Sequence, residues 1–192
     1  IQQMAAYNNN FLTGKFLVSM PDAEDDMFKQ AVVYICSHGK EGAMGFVINK
    51  KLNWATFVDL SVPLPPHPAA DLNSIFLYQG GPLEKVRGFV LHSPEYNKSG
   101  TFKIDNNVAI SSSMDILTDI ASGKGPQKNI IAMGYAGWNP QQLEYEIVDN
   151  RWLVVPSNPE IMFNTPDEFK WERAFDEAGV DFSRFINATG HA

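Results

Sequence analysis

Residues 31–50, AVVYICSHGKEGAMGFVINK, constrain the fold more than any other stretch. Residues 31–36 and 44–48 are uninterrupted apolar runs, the pattern of strands covered by protein on both faces rather than alternating between core and water. They belong at the centre of a sheet. Between them Gly39 and Gly42 bracket Lys40-Glu41, a spacer of the length and composition that joins antiparallel neighbours in a hairpin. Gly45, inside the second run, marks either a bulge or a place where another backbone comes close.

The rest of the chain supplies partners for this pair. Gly14 opens a strand over 15–19, and an acidic turn follows with Asp22, Glu24, Asp25 and Asp26, read as a solvated loop rather than a metal cup. Asn53 can cap a short helix over 54–60, after which SVPLPPHP leaves few backbone donors and favours an extended excursion over the surface. Residues 74–79 and 86–92 read as a second strand pair, joined by Gly80-Gly81-Pro82 in a turn that calls for positive φ at a glycine. A weaker pair follows at 101–104 and 108–110, then a helix over 113–122 capped by Ser112 and closed by Gly123. Residues 129–133 form another apolar strand. In GYAGWNPQQLEYEI, Asn139 is placed to cap a helix with Pro140 at its first position and Gln142 at its third. A strand over 151–155, a helical turn over 158–163 and a last helix capped by Thr165, with Trp171, Ala174, Phe175 and Ala178 inward, complete the order. Strands come mostly as hairpins, with helices interspersed and no regular βαβ spacing. The fold class is therefore α+β with a mainly antiparallel, strongly curved sheet. One domain over residues 14–186 is expected, with flexible termini at 1–13 and 187–192, where the Asn187 sequon would be idle.

Charge and cysteine content narrow the function. Fifteen Lys and Arg stand against 22 Asp and Glu, a formal net charge of -7, the wrong sign for phosphate attraction, so direct nucleic-acid binding is disfavoured. The single cysteine, Cys36, excludes an internal disulfide and suggests a shielded thiol in a reducing compartment. No apolar stretch reaches the roughly 20 residues needed to cross a bilayer, and the first ten residues lack the pattern of a secretory signal. A cytoplasmic protein with no membrane partner is expected.

Candidate chemistry is sparse. Cys36 and His38 are two apart on one strand, so their side chains point the same way and could pair as a thiolate site, although no neighbouring cation would activate it. A buried structural cysteine is the simpler reading. His38 and His92 each end an apolar strand, in YICSH and FVLHS, and two strands of one sheet could bring them to one edge. With no Cys or His doublet to complete a ligand set, neither a metal nor a cofactor is expected. The serine-hydrolase elbow, the P-loop and the dinucleotide fingerprint are all missing from the sequence. Glu146, four residues after Gln142, could serve as a general base but has no visible partner. The candidate site is thus a loop edge holding His38, Asn49, Gly80, Gly81 and His92, suited to a protein partner or a small anionic ligand. The main expectation is a non-enzymatic binding or regulatory protein. The alternatives are a hydrolase or Cys36-dependent redox enzyme, and a direct DNA-binding regulator.

Several blocks together carry a resemblance: FLVSMP, Asp25 with Phe28, VVYICSH, GAMGFVINK, GGP followed by GFVLH, GYAGW with QLEYEI, and the closing Trp171 helix. In this combination the chain resembles the YqgE/AlgH family of bacterial proteins from about Gly14 to about Asp181. The resemblance implies an α+β fold whose bifurcated sheet closes partly into a small barrel surrounded by helices. It also implies a transcriptional-regulator label, attached to the family through a link with alginate expression and read here as indirect. It transfers no catalytic residues. The family pattern has a glycine before Gln-Leu-Glu, where Gln141 stands in this sequence.

Overall fold

The computed structural model describes residues 11–69 and 71–179. Ten strands form one curled, half-closed sheet: β1 (Lys15–Ser19), β2 (Val32–Gly39), β3 (Gly42–Val47), β4 (Lys51–Thr56), β5 (Phe76–Gln79), β6 (Leu83–His92), β7 (Thr101–Lys103), β8 (Ala109–Ser111), β9 (Asn129–Trp138) and β10 (Trp152–Pro156). Helices α1 (Met114–Ala121), α2 (Gln142–Val148) and α3 (Asp167–Glu177) flank it. The main path runs β10-β1-β2-β3-β9-β6-β8-β7, with every neighbour antiparallel. The class is α+β.

The central hairpin stands where the sequence puts it. Residues 31–35 are fully buried, and their side chains alternate between two cores. Val32 and Tyr34 join Phe16, Phe46 and the α3 residues Trp171 and Phe175 inside the curl, while Val33 and Ile35 pack under Leu143 of α2 with Trp138 and Trp152. Burying each of these large side chains is worth roughly 1.5–3 kcal/mol, which explains why an uninterrupted apolar run marks this strand. A third core lies beneath α1, where Ile116 and Ile120 meet Leu77, Val90 and Ile131.

A long strand, β9, organises the other half. One of its edges pairs with β6; the other is shared, β3 taking the end near Trp138 and β5 the beginning, the latter in parallel. This division is the fork of the sheet. Residues 74–92 therefore make no hairpin: β5 and β6 are separated by β9. Gly80 and Gly81 also lack the positive φ expected of a turn. They are glycines because a Cβ at Gly80 would overlap the Gly134 carbonyl, and one at Gly81 the backbone of Tyr135.

Other expectations need correction. Residues 54–60 are not a helix; residues 51–56 form β4, an edge strand on β5, and one 3-10 turn (Phe57–Asp59) follows. Leu52 and Ala55 gain the third core in this way, which outweighs the local helix signal. The caps near 113 and 142 shift downstream: Ser113 precedes α1, and α2 begins only at Gln142. Asn139 opens a turn in which the Gln142 N–H donates to its carbonyl (3.0 Å) and Gln141 adopts φ 68°. A glycine would adopt that left-handed conformation without the cost a Cβ brings. Residues 11–13, expected in the loose N-terminus, are anchored: Leu12 packs on the second core and Phe11 stacks edge-on against His38. Residues 180–192, including Asn187, lie outside the described part.

Candidate functional site

The five residues expected on one rim occupy three places. His38, near the end of β2, pairs with Ala43, which pairs with Trp138, the last residue of β9. His92, the last residue of β6, pairs with Asn129, the first residue of β9. The two histidines are therefore separated by the length of that strand, on the order of 30 Å of extended chain. Asn49 sits at the opposite end of the central hairpin from His38; its side chain accepts from Val32 N–H (3.0 Å) and donates to the Gln30 carbonyl (2.8 Å). Only Gly80 and Gly81 lie near it, at the fork, where Gly80 accepts from Val47 N–H (2.8 Å).

A bulge separates Cys36 from His38. Ile35 pairs with Gly45 and Ser37 with Met44, so Cys36 is the extra residue and the alternation slips by one. Gly45 is thus the close-approach glycine opposite that bulge; a Cβ there would lie 2.8 Å from the Tyr34 carbonyl oxygen. The Cys36 thiol faces the inside of the curl and donates to the Met44 carbonyl (3.3 Å), while the His38 ring faces α2. The two do not share a face. Burial pushes the Cys36 thiol up to about 12, so it is protonated at neutral pH. It borders a small, mostly enclosed apolar cavity of about 50 Å³ with Met44, Phe89, Phe102 and Ile110.

His38 is fixed at both nitrogens. Leu12 N–H donates to Nδ1 (3.1 Å), which places the ring proton on Nε2, facing the Glu144 carboxylate of α2. Glu144 is half-exposed and belongs to the wall of an open groove of ≈ 700 Å³, together with Phe11, Lys40, Gln141, Tyr145 and Val148. A second groove of similar size lies on the other side of α2, between it and the acidic turn, lined by Asp22, Glu24, Asp25, Glu146, Asp149 and Arg151. Glu146, without a visible partner in the sequence, accepts from the indole N–H groups of Trp138 (3.3 Å) and Trp152 (3.0 Å) and from Gln142 (3.0 Å).

His92 is enclosed. Its Nδ1–H donates to the Ser93 carbonyl (2.8 Å), and Nε2 accepts from the Ser111 hydroxyl (2.8 Å), whose oxygen also contacts Thr101 Oγ1 (2.8 Å). Burial lowers its pKa. Serine beside a histidine nitrogen is the geometry of a nucleophile and its base, but both side chains are sealed in the interior and the other nitrogen meets a carbonyl instead of a carboxylate.

One cluster had no sequence forecast. Lys170, buried on α3, donates to the Ile48 carbonyl (2.9 Å) and Asp167 (2.9 Å); Asp167 also accepts from Tyr78 (2.9 and 3.0 Å) and pairs with Lys51 (3.2 Å). Burial lowers the Lys170 pKa and, with Asp167, raises that of Tyr78. These groups lock α3 against the fork. The i,i+3 spacing of Asp167 and Lys170, beside the inward Trp171, was the available signal. Among the described residues no group of three or more His, Cys, Asp and Glu is arranged to hold a metal ion.

A half-closed antiparallel sheet, forked at one long strand and flanked by short helices, defines the class. Residues 16–183 match the AlgH-like family model, and the chain belongs to that family. It is 40% identical to a UPF0301 protein of Nitrobacter hamburgensis, over 97% of this chain and 90% of the relative, and 41% identical to one of Ruegeria pomeroyi, over 94% and 99%. The solution structure of the AlgH protein from Pseudomonas aeruginosa superposes with a TM-score of 0.77 at 38% identity, covering 93% of this chain and 95% of that one. A crystal structure of a Corynebacterium diphtheriae protein, 21% identical with a TM-score of 0.68 over 88% of each chain, shares the fold.

Proposed function

We propose that the protein is a cytoplasmic, non-enzymatic binding protein that acts by docking a partner protein on the surface around α2, and that any link to transcription is indirect. The observation that carries this reading is the outer face of α2, where Tyr145 (70% exposed) and Val148 (81% exposed) project between two open grooves. Large side chains presented this way, on a short helix pinned to the sheet by Leu143 and by Glu144 on His38, form an apolar contact surface with a rigid base. Of the expected rim, His38 is buried beneath this surface and holds Glu144 at its edge; Asn49, Gly80, Gly81 and His92 serve the architecture. A small anion is the weaker partner class, because carboxylates dominate the groove facing the acidic turn and the other groove offers one lysine beside one carboxylate. No helix among the described residues is long and apolar enough to cross a membrane.

Affinity capture from the native host tests this. A partner retained by the wild type should be lost by Tyr145→Ser/Val148→Ser and kept by Trp54→Ser/Val86→Ser, which alters exposed apolar residues elsewhere. Loss with the second variant but not the first would contradict the proposal.

A further inference from the structure

The charge around α2 narrows the partner's chemistry, on the reading that this surface docks a protein. The groove between α2 and the acidic turn presents Asp22, Glu24, Asp25, Glu146 and Asp149 against one cation, Arg151, and Arg151 is already paired with Asp149 (3.0 Å). Across the helix the groove is mostly apolar or neutral, with one cation, Lys40, and one carboxylate, Glu144, already bonded to His38. The exposed apolar strip of Tyr145 and Val148 runs between these walls. A segment lying along it would place its apolar side chains on Tyr145 and Val148 and the flank facing the acidic turn among carboxylates.

We infer that the occupant is a basic amphipathic segment of a partner protein, with apolar residues at helical spacing flanked by Lys and Arg. The acidic wall on the side of the acidic turn selects for such a partner twice. It steers cations toward the groove at long range, and it leaves an acidic segment facing unpaired like charge at contact. Apolar contact on Tyr145 and Val148 then sets the register, as in other helix-in-groove recognition. A second copy of this chain is the less suitable occupant, since at net charge -7 two copies repel and each would bring the same acidic wall to the contact.

The test uses the isotope-labelled full chain and two designed peptides of one amphipathic pattern, one Leu/Lys and one Leu/Glu, followed by amide shifts. The Leu/Lys peptide should shift residues 142–149 and the acidic turn, bind about tenfold more tightly than Leu/Glu, and weaken as salt rises. Glu24→Gln/Asp149→Asn should cut its affinity at least several-fold while leaving the spectrum of the free protein otherwise unchanged. Equal binding of both peptides at this face would overturn the basic-partner inference and leave the docking reading standing. Shifts confined to other surfaces would overturn the inference, and the capture experiment above then decides the docking reading separately. Shifts at 142–149 that grow with protein concentration alone would assign the face to a second copy and overturn it too.

Discussion

At one end of β9 the His38 ring bridges a backbone N–H and a carboxylate that stands at the rim of an open groove; at the other, the His92 ring is closed between Ser93 and Ser111. Both histidines end apolar strands and both are buried. What separates them is what lies beyond the ring. Past His38 comes a helix with exposed apolar side chains between two open grooves, one of them acidic, whereas past His92 comes more core. Burial of the histidine itself is the same at both ends; the difference is that the partner bonded to His38, Glu144, reaches solvent.

The largest expected effect lies between the two ends. Gly81→Ala should cost on the order of 4 kcal/mol or more in urea unfolding, because its Cβ meets backbone that cannot move aside. A small cost would mean the fork is pliable and the two ends are not held apart by it. His92→Ala should come next at about 3 kcal/mol, from the cavity and the orphaned Ser111 and Ser93 groups. His38→Ala should cost about half of that, since Glu144 can turn to water. Equal costs would break the distinction between a closed end and an open one.

Acid sharpens the same contrast. Burial holds the folded His92 pKa below its unfolded value, so the unfolded chain takes up the proton first as pH falls. Stability from this group is present above about pH 6.5 and declines below it. His92→Asn should flatten that limb in pH-dependent melting. The smallest effect is at the hinge into α2: Gln141→Gly should stabilise by about 1 kcal/mol by relieving the left-handed conformation. No gain would mean that the Gln141 side chain makes a compensating contact in the groove it lines.

The central hairpin and its burial were legible from residues 31–50 because period and length leave a doubly covered strand as the simplest solution. The terminal helix was legible for the same reason, through Trp171, Ala174 and Phe175. The fork was not, since β5 and β6 are close in sequence and meet through β9, about 50 residues downstream by the chain numbering. The shared rim failed on the same topology, which puts His38 and His92 at opposite ends of β9; the Cys36–His38 pair failed on a bulge at Cys36 that reverses the faces after it in β2, and no local signal distinguishes that bulge from the close approach at Gly45. Glu144 escaped notice because its partner is His38, 106 positions away.

Hydrogen exchange on the complex with the captured partner tests the binding surface most directly. Added protection should fall on residues 11–13 and 142–149 and leave 90–92 and 109–111 unchanged. Protection centred on the His92 end, or on the β4 edge, with 142–149 exchanging as in the free protein, would contradict the assignment of α2 as the docking element.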